Sequence, residues 1–364
     1  MSRTSRLLFS VHSWLGLIAG IFILSFFLTG SVIVFRKELN SWQHPHLHTV
    51  KEESRAYLPY DQLYRKAREQ QPGLYLYSFR YIPESRTETV EMRVYDPVEK
   101  EYGLLYLNPY NGMVLGTTWN NSLYDLLLTL HYTFFLGKAG ELLAGIFALA
   151  LIGSVITGLI VYRRHIVRML TFRQKMKWRN WRMASSNLHR IIGIWALFFN
   201  LVLSVSGFYM MLYAFDLKAQ FGSNASSSIA LPPAVKQNID SLIRKAETLL
   251  GDGRFNYLDF PRNEGEPITV YTGGGFWLWG DYNNKVEFDN GSGTVRRMFR
   301  QYQMSAKEKM EYALYTLHYG QYGGKGIKLL YTLFGLSGAV LTITGFALWY
   351  RKQKGNRRYK PAGR

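Results

Sequence analysis

Eight histidines and no cysteine set the metal chemistry open to this chain. Without a thiol there is no iron–sulfur cluster, no thiolate zinc site, no covalent c-type haem, no Cys nucleophile and no disulfide. Four histidines, His12, His131, His189 and His318, sit in repeated contexts. Val11-His12-Ser13-Trp14-Leu15-Gly16-Leu17 matches Leu188-His189-Arg190-Ile191-Ile192-Gly193-Ile194. Thr129-Leu130-His131-Tyr132 recurs unchanged as Thr316-Leu317-His318-Tyr319. Residues related by a two-fold axis face each other when they lie near it, so the repeat offers two opposed imidazole pairs, His12 with His189 and His131 with His318. A zinc site would call for four ligands, and no Cys or carboxylate stands near either pair to complete one. A b-type haem asks for two imidazoles on opposite sides of a flat ring, which a four-helix bundle can hold. Gly16 and Gly20, one and two turns after His12, and Gly193, one turn after His189, leave room for such a ring to approach the backbone. The competing reading is small-residue helix packing around hydrogen-bonded histidines.

The remaining histidines are less telling. His44, His46 and His48 would share one face of a strand and could hold a metal there, or belong to a solvated loop. His165 stands among arginines, where it could assist a cytoplasmic-side haem or do nothing. Lys138 and Lys325, at matched positions after the His131 and His318 segments, could pair with haem propionates or reach out to the membrane surface. No dinucleotide fingerprint, Walker loop, His-Glu-x-x-His or Gly-x-Ser-x-Gly is present, so the chain has no flavin or nicotinamide site of its own.

The elements that must position these residues are apolar. No Lys, Arg, Asp or Glu occurs in 7–35, 142–162, 191–215 or 329–350. Each run is long enough to cross a bilayer as a helix of about 20 residues. The spans carry no acidic residue, and the sequence shows no mid-span break of the kind transporters use, which weighs against a transporter. Thr29-Gly30, Thr157-Gly158, Ser206-Gly207 and Thr344-Gly345 recur in register, as do Gly137-Lys138 and Gly324-Lys325. The spans therefore form two copies of one unit inserted in the same direction, related by an axis along the membrane normal.

Charge sets the orientation. The chain has 364 residues, 44 Lys+Arg, 25 Asp+Glu and a net charge of +19. The arm before residue 7, the 162–187 loop and the 351–364 tail hold 17 of the basic residues and no acid. That asymmetry labels these segments cytoplasmic, and it is not a nucleic-acid footprint spread over a soluble surface. The two long segments between spans then lie outside. Each begins with a helix, expected at 60–70 and 234–250. Strands follow, expected at 74–82, 87–95 and 104–107 in the first segment and at 254–260, 268–271, 276–279 and 286–288 in the second. The turns Asn108-Pro109-Tyr110-Asn111-Gly112 and Asp289-Asn290-Gly291-Ser292-Gly293 recur beside them. Two small α+β modules are expected.

The two span starts, the Thr-Gly or Ser-Gly pairs and the Leu107-Asn108-Pro109-Tyr110-Asn111-Gly112-Met113-Val114-Leu115 turn resemble the PepSY-associated transmembrane-helix proteins, also called iron-regulated inner-membrane proteins. The resemblance covers nearly the whole chain. Ser13 and Ile191 depart from the family's His-Arg-Trp span start, while the His and Gly remain. It implies a membrane α-helical fold of four transmembrane helices with two periplasmic PepSY-like modules. The segments would be span 1 at 1–35, module 1 at 36–125, a His-bearing re-entrant or interfacial segment with span 2 at 126–162, and a cytoplasmic loop at 163–187. Span 3 at 188–215, module 2 at 216–312, a His-bearing segment with span 4 at 313–350 and a tail at 351–364 complete the chain. The family includes ferric-siderophore reductases, so the resemblance implies a bacterial inner-membrane oxidoreductase. Its two b-type haems would be held by His12, His189, His131 and His318, and its electrons would come from a cytoplasmic or quinol donor. The substrate would be a periplasmic ferric-siderophore, released as Fe(II). A non-enzymatic module that binds a peptide or a peptidase is the alternative.

Overall fold

The computed structural model describes residues 3–171, 173, 180–221, 232–251, 253–280 and 284–358. Parts of the basic loop and tail, at 172, 174–179 and 359–364, lie outside the described residues. The helices in chain order are α1 Arg3–Ile18, α2 Gly20–Ile33, α3 Arg36–Gln43, α4 Pro45–His48, α5 Tyr60–Gln70, α6 Leu123–Thr133, α7 Gly137–Tyr162, α8 Ile166–Leu170, α9 Trp181–Trp195, α10 Leu197–Phe221, α11 Ile239–Leu250, α12 Ala306–Tyr319 and α13 Gly324–Arg358. The strands are β1 Tyr75–Tyr81, β2 Val90–Asp96, β3 Glu101–Leu107, β4 Val114–Trp119, β5 Phe255–Asp259, β6 Ile268–Thr272, β7 Asn284–Phe288 and β8 Val295–Phe299. They divide between two compact units, Met1–Arg36 with Leu127–Ser223 and Leu314–Arg364, and Lys37–Leu126 with Asn224–Ala313.

The first unit is helical. Among the described residues, Gly137–Tyr162 and Gly324–Lys354 are each long and apolar enough to cross a membrane alone. The apolar runs at 7–35 and 191–215 are each broken instead. α1 meets α2 at 64°, and α9 meets Leu197–Leu212 of α10 at 66°. Each pair counts as one span only if taken together, and the expectation of unbroken first spans is corrected here. Small residues allow the bends: Ala19 is 2% exposed and Ala196 1%, each pressed into the bundle where a larger side chain would not fit. The bend also exchanges partners. α1 packs on α7 and α9 on α13, within their own repeats, whereas α2 packs on α13 and α10 on α7, across them. The two repeats are thus interlocked, and neither half buries its apolar surface alone.

Between α6 and α7 the chain turns sharply, through Phe134 and Phe135 at φ 51° and 61° and Gly137 at φ 56°. Gly140 is required there, because a Cβ would lie 1.6 Å from the Thr133 carbonyl oxygen. The His131 segment is therefore a helix of its own and does not continue into α7. Gly320, Gly323 and Gly324, all at positive φ, make the corresponding turn between α12 and α13.

The second unit is built on one antiparallel sheet of eight strands, ordered β4-β3-β2-β1-β5-β6-β7-β8. Two separate modules were expected. Instead the halves join through β1 and β5, where Ser78 pairs with Asp259 and Phe79 with Leu258. Pairing the two inner strands removes one exposed edge from each half, which is the physical gain of fusion. β4 and β8 were not expected from sequence, and 276–279 forms no strand. Trp277–Trp279 is a 3₁₀ turn, set between glycines of positive φ at 274, 275 and 280. The short apolar run there mimicked a buried strand, but its flanking glycines curl it.

Alternation decides the two faces of the sheet. Val90, Met92 and Val94 of β2 join Phe79, Leu105, Leu258, Val270 and Val286 in the core. Leu63 and Ala67 of α5, with Ile239, Leu242, Ile243 and Ala246 of α11, cover them at helical spacing. The helices also cap each other. Asp240 accepts the backbone N–H groups of Tyr60 and Asp61, both at 2.9 Å, and Asp61 accepts that of Ile239 at 3.3 Å. Each carboxylate satisfies orphan donors of the other repeat's helix.

Candidate functional site

The four repeat-matched histidines lie on α1, α6, α9 and α12, the four helices that precede or begin the apolar stretches. The structure brings them together in two pairs. The rings of His12 and His189 have centroids 6.1 Å apart, and those of His131 and His318 are 6.3 Å apart. Two imidazoles bound to one iron, each by a bond of about 2.0–2.1 Å with roughly 1.1 Å more to the ring centre, would have centroids about 6.3 Å apart. The spacing suits a shared metal atom between the rings, and it is also the spacing of an edge-to-face contact, the geometry of His12 on His189.

Each ring is held at Nδ1. A hydroxyl lies 2.9 Å from His131 (Thr29), 3.0 Å from His189 (Thr344), 2.9 Å from His318 (Ser206) and 3.3 Å from His12 (Thr157). His12 Nδ1 also lies 2.9 Å from the Ser154 carbonyl oxygen. The hydroxyl protons are already committed. Thr29, Thr157, Ser206 and Thr344 each donate to the carbonyl four residues back, at 2.6–2.7 Å. The hydroxyl oxygens must then accept from Nδ1–H, which leaves a lone pair on Nε2 of all four rings. That is the tautomer a metal ligand needs, fixed by a neighbour that the metal does not touch.

The residue after each hydroxyl is glycine, and its missing side chain lets the ring in. A Cβ on Gly30 or Gly207 would lie 3.1 Å from the Cε1 of His131 or His318, and one on Gly158 or Gly345 would lie 3.3 Å from the Cε1 of His12 or His189. The Thr-Gly and Ser-Gly pairs were read in the sequence as markers of the repeat and of the family resemblance. They are the cradle of the histidines. The available signal was that all four pairs keep step with all four histidines.

His12 and His189 face a cavity of about 510 Å³, well within the range of cofactor sites at roughly 300–1,000 Å³. Gly16 and Gly193 line it. A Cβ on Gly16 would meet nothing within 4 Å, while one on Gly193 would touch Leu341 at 3.5 Å. Gly20 is not among the lining residues and packs against Thr342 instead. Asn200 also lines the cavity, buried, with its side-chain oxygen unpartnered. Arg6, Arg190 and Lys352 stand at its wall, and no carboxylate does. They are suited to carboxylate groups on a bound ring. In the sequence Arg6 and Lys352 counted only towards the cytoplasmic charge label, and Arg190 only as part of the repeated span start.

The remaining candidates stand apart from this inner cavity. Lys138 and Lys325 are exposed, in the first turns of α7 and α13, which follow the helices of His131 and His318. His165 is exposed, at the start of α8. His44, His46 and His48 do not converge: α4 is a single helical turn, and no group of three metal-ligating side chains occurs among the described residues. His48 turns inward, 7% exposed, with Nδ1 3.5 Å from Glu91 and its ring 4.7 Å from that of Tyr106. A helical turn, in place of the strand considered from sequence, leaves the rings of His44 and His46 in edge contact at 6.4 Å and turns His48 away into the fold.

A search of curated proteins finds no match. The family model for the PepSY-associated TM region matches residues 9–352, spanning both repeats, all four histidines and the whole sheet. The chain belongs to the PepSY-associated transmembrane family and is a membrane protein.

Proposed function

We propose that the protein is a haem-carrying reductase of the bacterial inner membrane that passes electrons outward to a periplasmic ferric chelate. The observation that carries this reading is the pair of imidazole spacings, 6.1 and 6.3 Å, with every Nδ1 held and every Nε2 free to ligate. Four transmembrane spans follow if each bent pair is one span, and the charge asymmetry supports cytoplasmic termini with the sheet unit in the periplasm.

His12 and His189 would hold one haem and His131 and His318 a second. A bis-imidazole haem supplies reversible one-electron transfer between Fe(III) and Fe(II). The chain's own residues do the rest. Thr344, Ser206, Thr29 and the Ser154 carbonyl fix the ligand tautomer and ring plane. Gly30, Gly158, Gly207 and Gly345 admit the rings. Arg6, Arg190 and Lys352 offset carboxylate charge at the inner cavity. Because each pair would commit both imidazoles to the group it holds, the chemistry supplied would be electron transfer without a bond to substrate. A quinol or cytoplasmic reductant gives one electron, and the chelated Fe(III) accepts it and leaves as Fe(II), which oxygen-rich chelators hold far less tightly.

The test is a visible spectrum of the detergent-solubilised protein after haem-replete expression. A Soret band and, on dithionite reduction, a sharp α-band are expected. His12→Ala with His189→Ala should remove about half of the haem per chain, and replacing all four histidines should remove all of it. Absence of Soret absorbance, or unchanged haem content in the fourfold variant, refutes the reading.

One observation favours a second reading, a peptide-binding module without redox chemistry. A cavity of about 460 Å³ in the sheet unit is lined by Tyr57, Pro59, Tyr60, Pro83, Pro109 and Arg244. That reading predicts full tolerance of substitution at His12 and His189 and saturable peptide binding to the haem-free protein.

A further inference from the structure

The face of the sheet turned away from α5 and α11 carries an arginine cluster with no evident structural need. Arg93 of β2 pairs across to Ser78 of β1, and Ser78 pairs on to Asp259 of β5, so the three form a row over the seam between the repeats. Arg80 sits at the register shift in β1 between Phe79 and Tyr81. Arg262 follows β5 by three residues. Their neighbours Phe79, Met92 and Leu258 point to the opposite face, into the core.

Tyrosines frame the guanidinium groups. The Cζ of Arg93 lies 4.8 Å from the ring centre of Tyr102, and that of Arg262 lies 5.0 Å from Tyr77. Tyr77, Tyr95 and Tyr102 contact one another with centroids 4.8–6.0 Å apart. On the far side of the seam, Tyr257 donates to Ser78 and Tyr271 to Asp259.

None of the three arginines forms an ion pair among the described residues. Asp259 is within electrostatic reach of Arg93 and Arg262, but burial holds its carboxyl above the usual range. Glu91, on the same strand face, lies against His48. Burial lowers the Arg93 pKa, and Arg80 and Arg262 beside it lower it further. Three guanidinium groups that share the one nearby Asp259 carboxylate carry an excess of positive charge, repel one another and destabilise the fold. Stacking on tyrosine offsets only about 0.5–2 kcal/mol for each pair. A ligand that supplies the missing negative oxygens removes the conflict.

We propose that this face binds the anionic class of ferric chelates, those that wrap iron in carboxylate or catecholate oxygens, with Arg80, Arg93 and Arg262 taking the oxygens and the exposed Tyr102 ring the flat ligand body, while the buried Tyr77 supports Arg262 from beneath. Guanidinium forks match paired oxygens on a rigid ligand, and tyrosines suit planar catechol rings. The inference rests on the reductase reading for its substrate, and it narrows that substrate to complexes of net negative charge.

The test uses full-length protein in detergent and gallium(III) analogues, which resemble the ferric complexes but accept no electron. Tyrosine and tryptophan fluorescence reports binding. A gallium tris-catecholate of charge −3 should bind at least about tenfold more tightly than a cationic gallium trihydroxamate. Arg93→Gln and Arg262→Gln should each weaken the anionic complex about tenfold and leave the cationic one unchanged. Arg93→Lys should recover part of the loss. Arg262 is exposed, so its variant remains informative if Arg93→Gln does not fold, and thermal melting checks both. Equal affinity of the wild type for both complexes overturns the proposal, as does wild-type affinity in the triple Gln variant. Equal binding of iron-free citrate, inorganic phosphate or short-chain phosphatidylglycerol overturns it too. Because gallium binding requires neither haem nor electron donor, a protein without haem sinks the reductase reading alone. A haem-loaded protein that reduces cationic chelates, with this face silent, sinks only the present inference.

Discussion

Replacing Thr344 by Val keeps the shape of the side chain and removes the one hydroxyl that holds His189. The hydroxyl lies 3.0 Å from Nδ1. Losing a hydrogen-bonded partner outside the ligand itself typically costs 10–100-fold in metal affinity, about 1.4–2.8 kcal/mol. Thr157→Val at the opposite ligand is a matched control. There the hydroxyl is farther, 3.3 Å, and the Ser154 carbonyl already accepts from His12 Nδ1 at 2.9 Å. Its net loss should stay near the low end for one hydrogen bond, about 0.5 kcal/mol or roughly twofold. Haemin titration into apo-protein, followed at the Soret band, measures both. A redox titration adds a second readout: weakening the Nδ1 hydrogen bond makes the imidazole a poorer donor and should move the inner midpoint potential upward in Thr344→Val more than in Thr157→Val. Equal effects in the two variants, or wild-type affinity and potential in Thr344→Val, would refute the reasoning that these hydroxyls orient ligands.

Three further outcomes follow from the geometry. Gly30→Ala should disturb the outer pair more than Gly158→Ala disturbs the inner one, since the new Cβ meets the His ring at 3.1 Å against 3.3 Å; the split and width of the reduced α-band report it. Asp240→Ala uncaps two N–H groups at the start of α5, and should cost about 1–2 kcal/mol, seen as a lower melting temperature of the sheet unit, whereas Asn238→Ala removes a single cap bond to Ser241 and should cost less. Asp289 has its pKa lowered, first by the Ser292 backbone N–H and then by Arg296. A carboxyl depressed in the folded state stabilises above its unfolded pKa of about 3.9 and loses that contribution as pH falls. The stability gap between wild type and Asp289→Asn should therefore be full near neutral pH and shrink below about pH 4, and a gap that widens in acid refutes the assignment.

How legible the site was depends on what kind of information each residue carries. The His pairing was legible because a repeat in sequence implies an axis in space, and His12 with His189 and His131 with His318 are the only repeat-matched histidines. The helix at Tyr60–Gln70 was legible from Pro59, which stands just before it, and α11 was placed with its N-terminus five residues early because Asn238, its cap, was not recognised. The strand expected at 276–279 failed because a four-residue apolar run has no periodicity to read. His44, His46 and His48 looked like one face only under the assumption of a strand.

The sequence by itself determined the apolar stretches, the repeat, the charge asymmetry and the opposed histidines, because length, period and composition are local properties. Only the tertiary structure decided how they are used. It broke α1 from α2 and α9 from α10 at the buried Ala19 and Ala196. It fused two α+β halves into one sheet, since strand pairing is satisfied by whichever edge comes nearest. It set Thr29-Gly30 and its three counterparts against histidines 102 to 155 residues away. A hydroxyl donating to its own helix and accepting from a distant ring is a contact that no single stretch of chain contains. The ligand tautomer, on which the proposed chemistry rests, is a property of that contact.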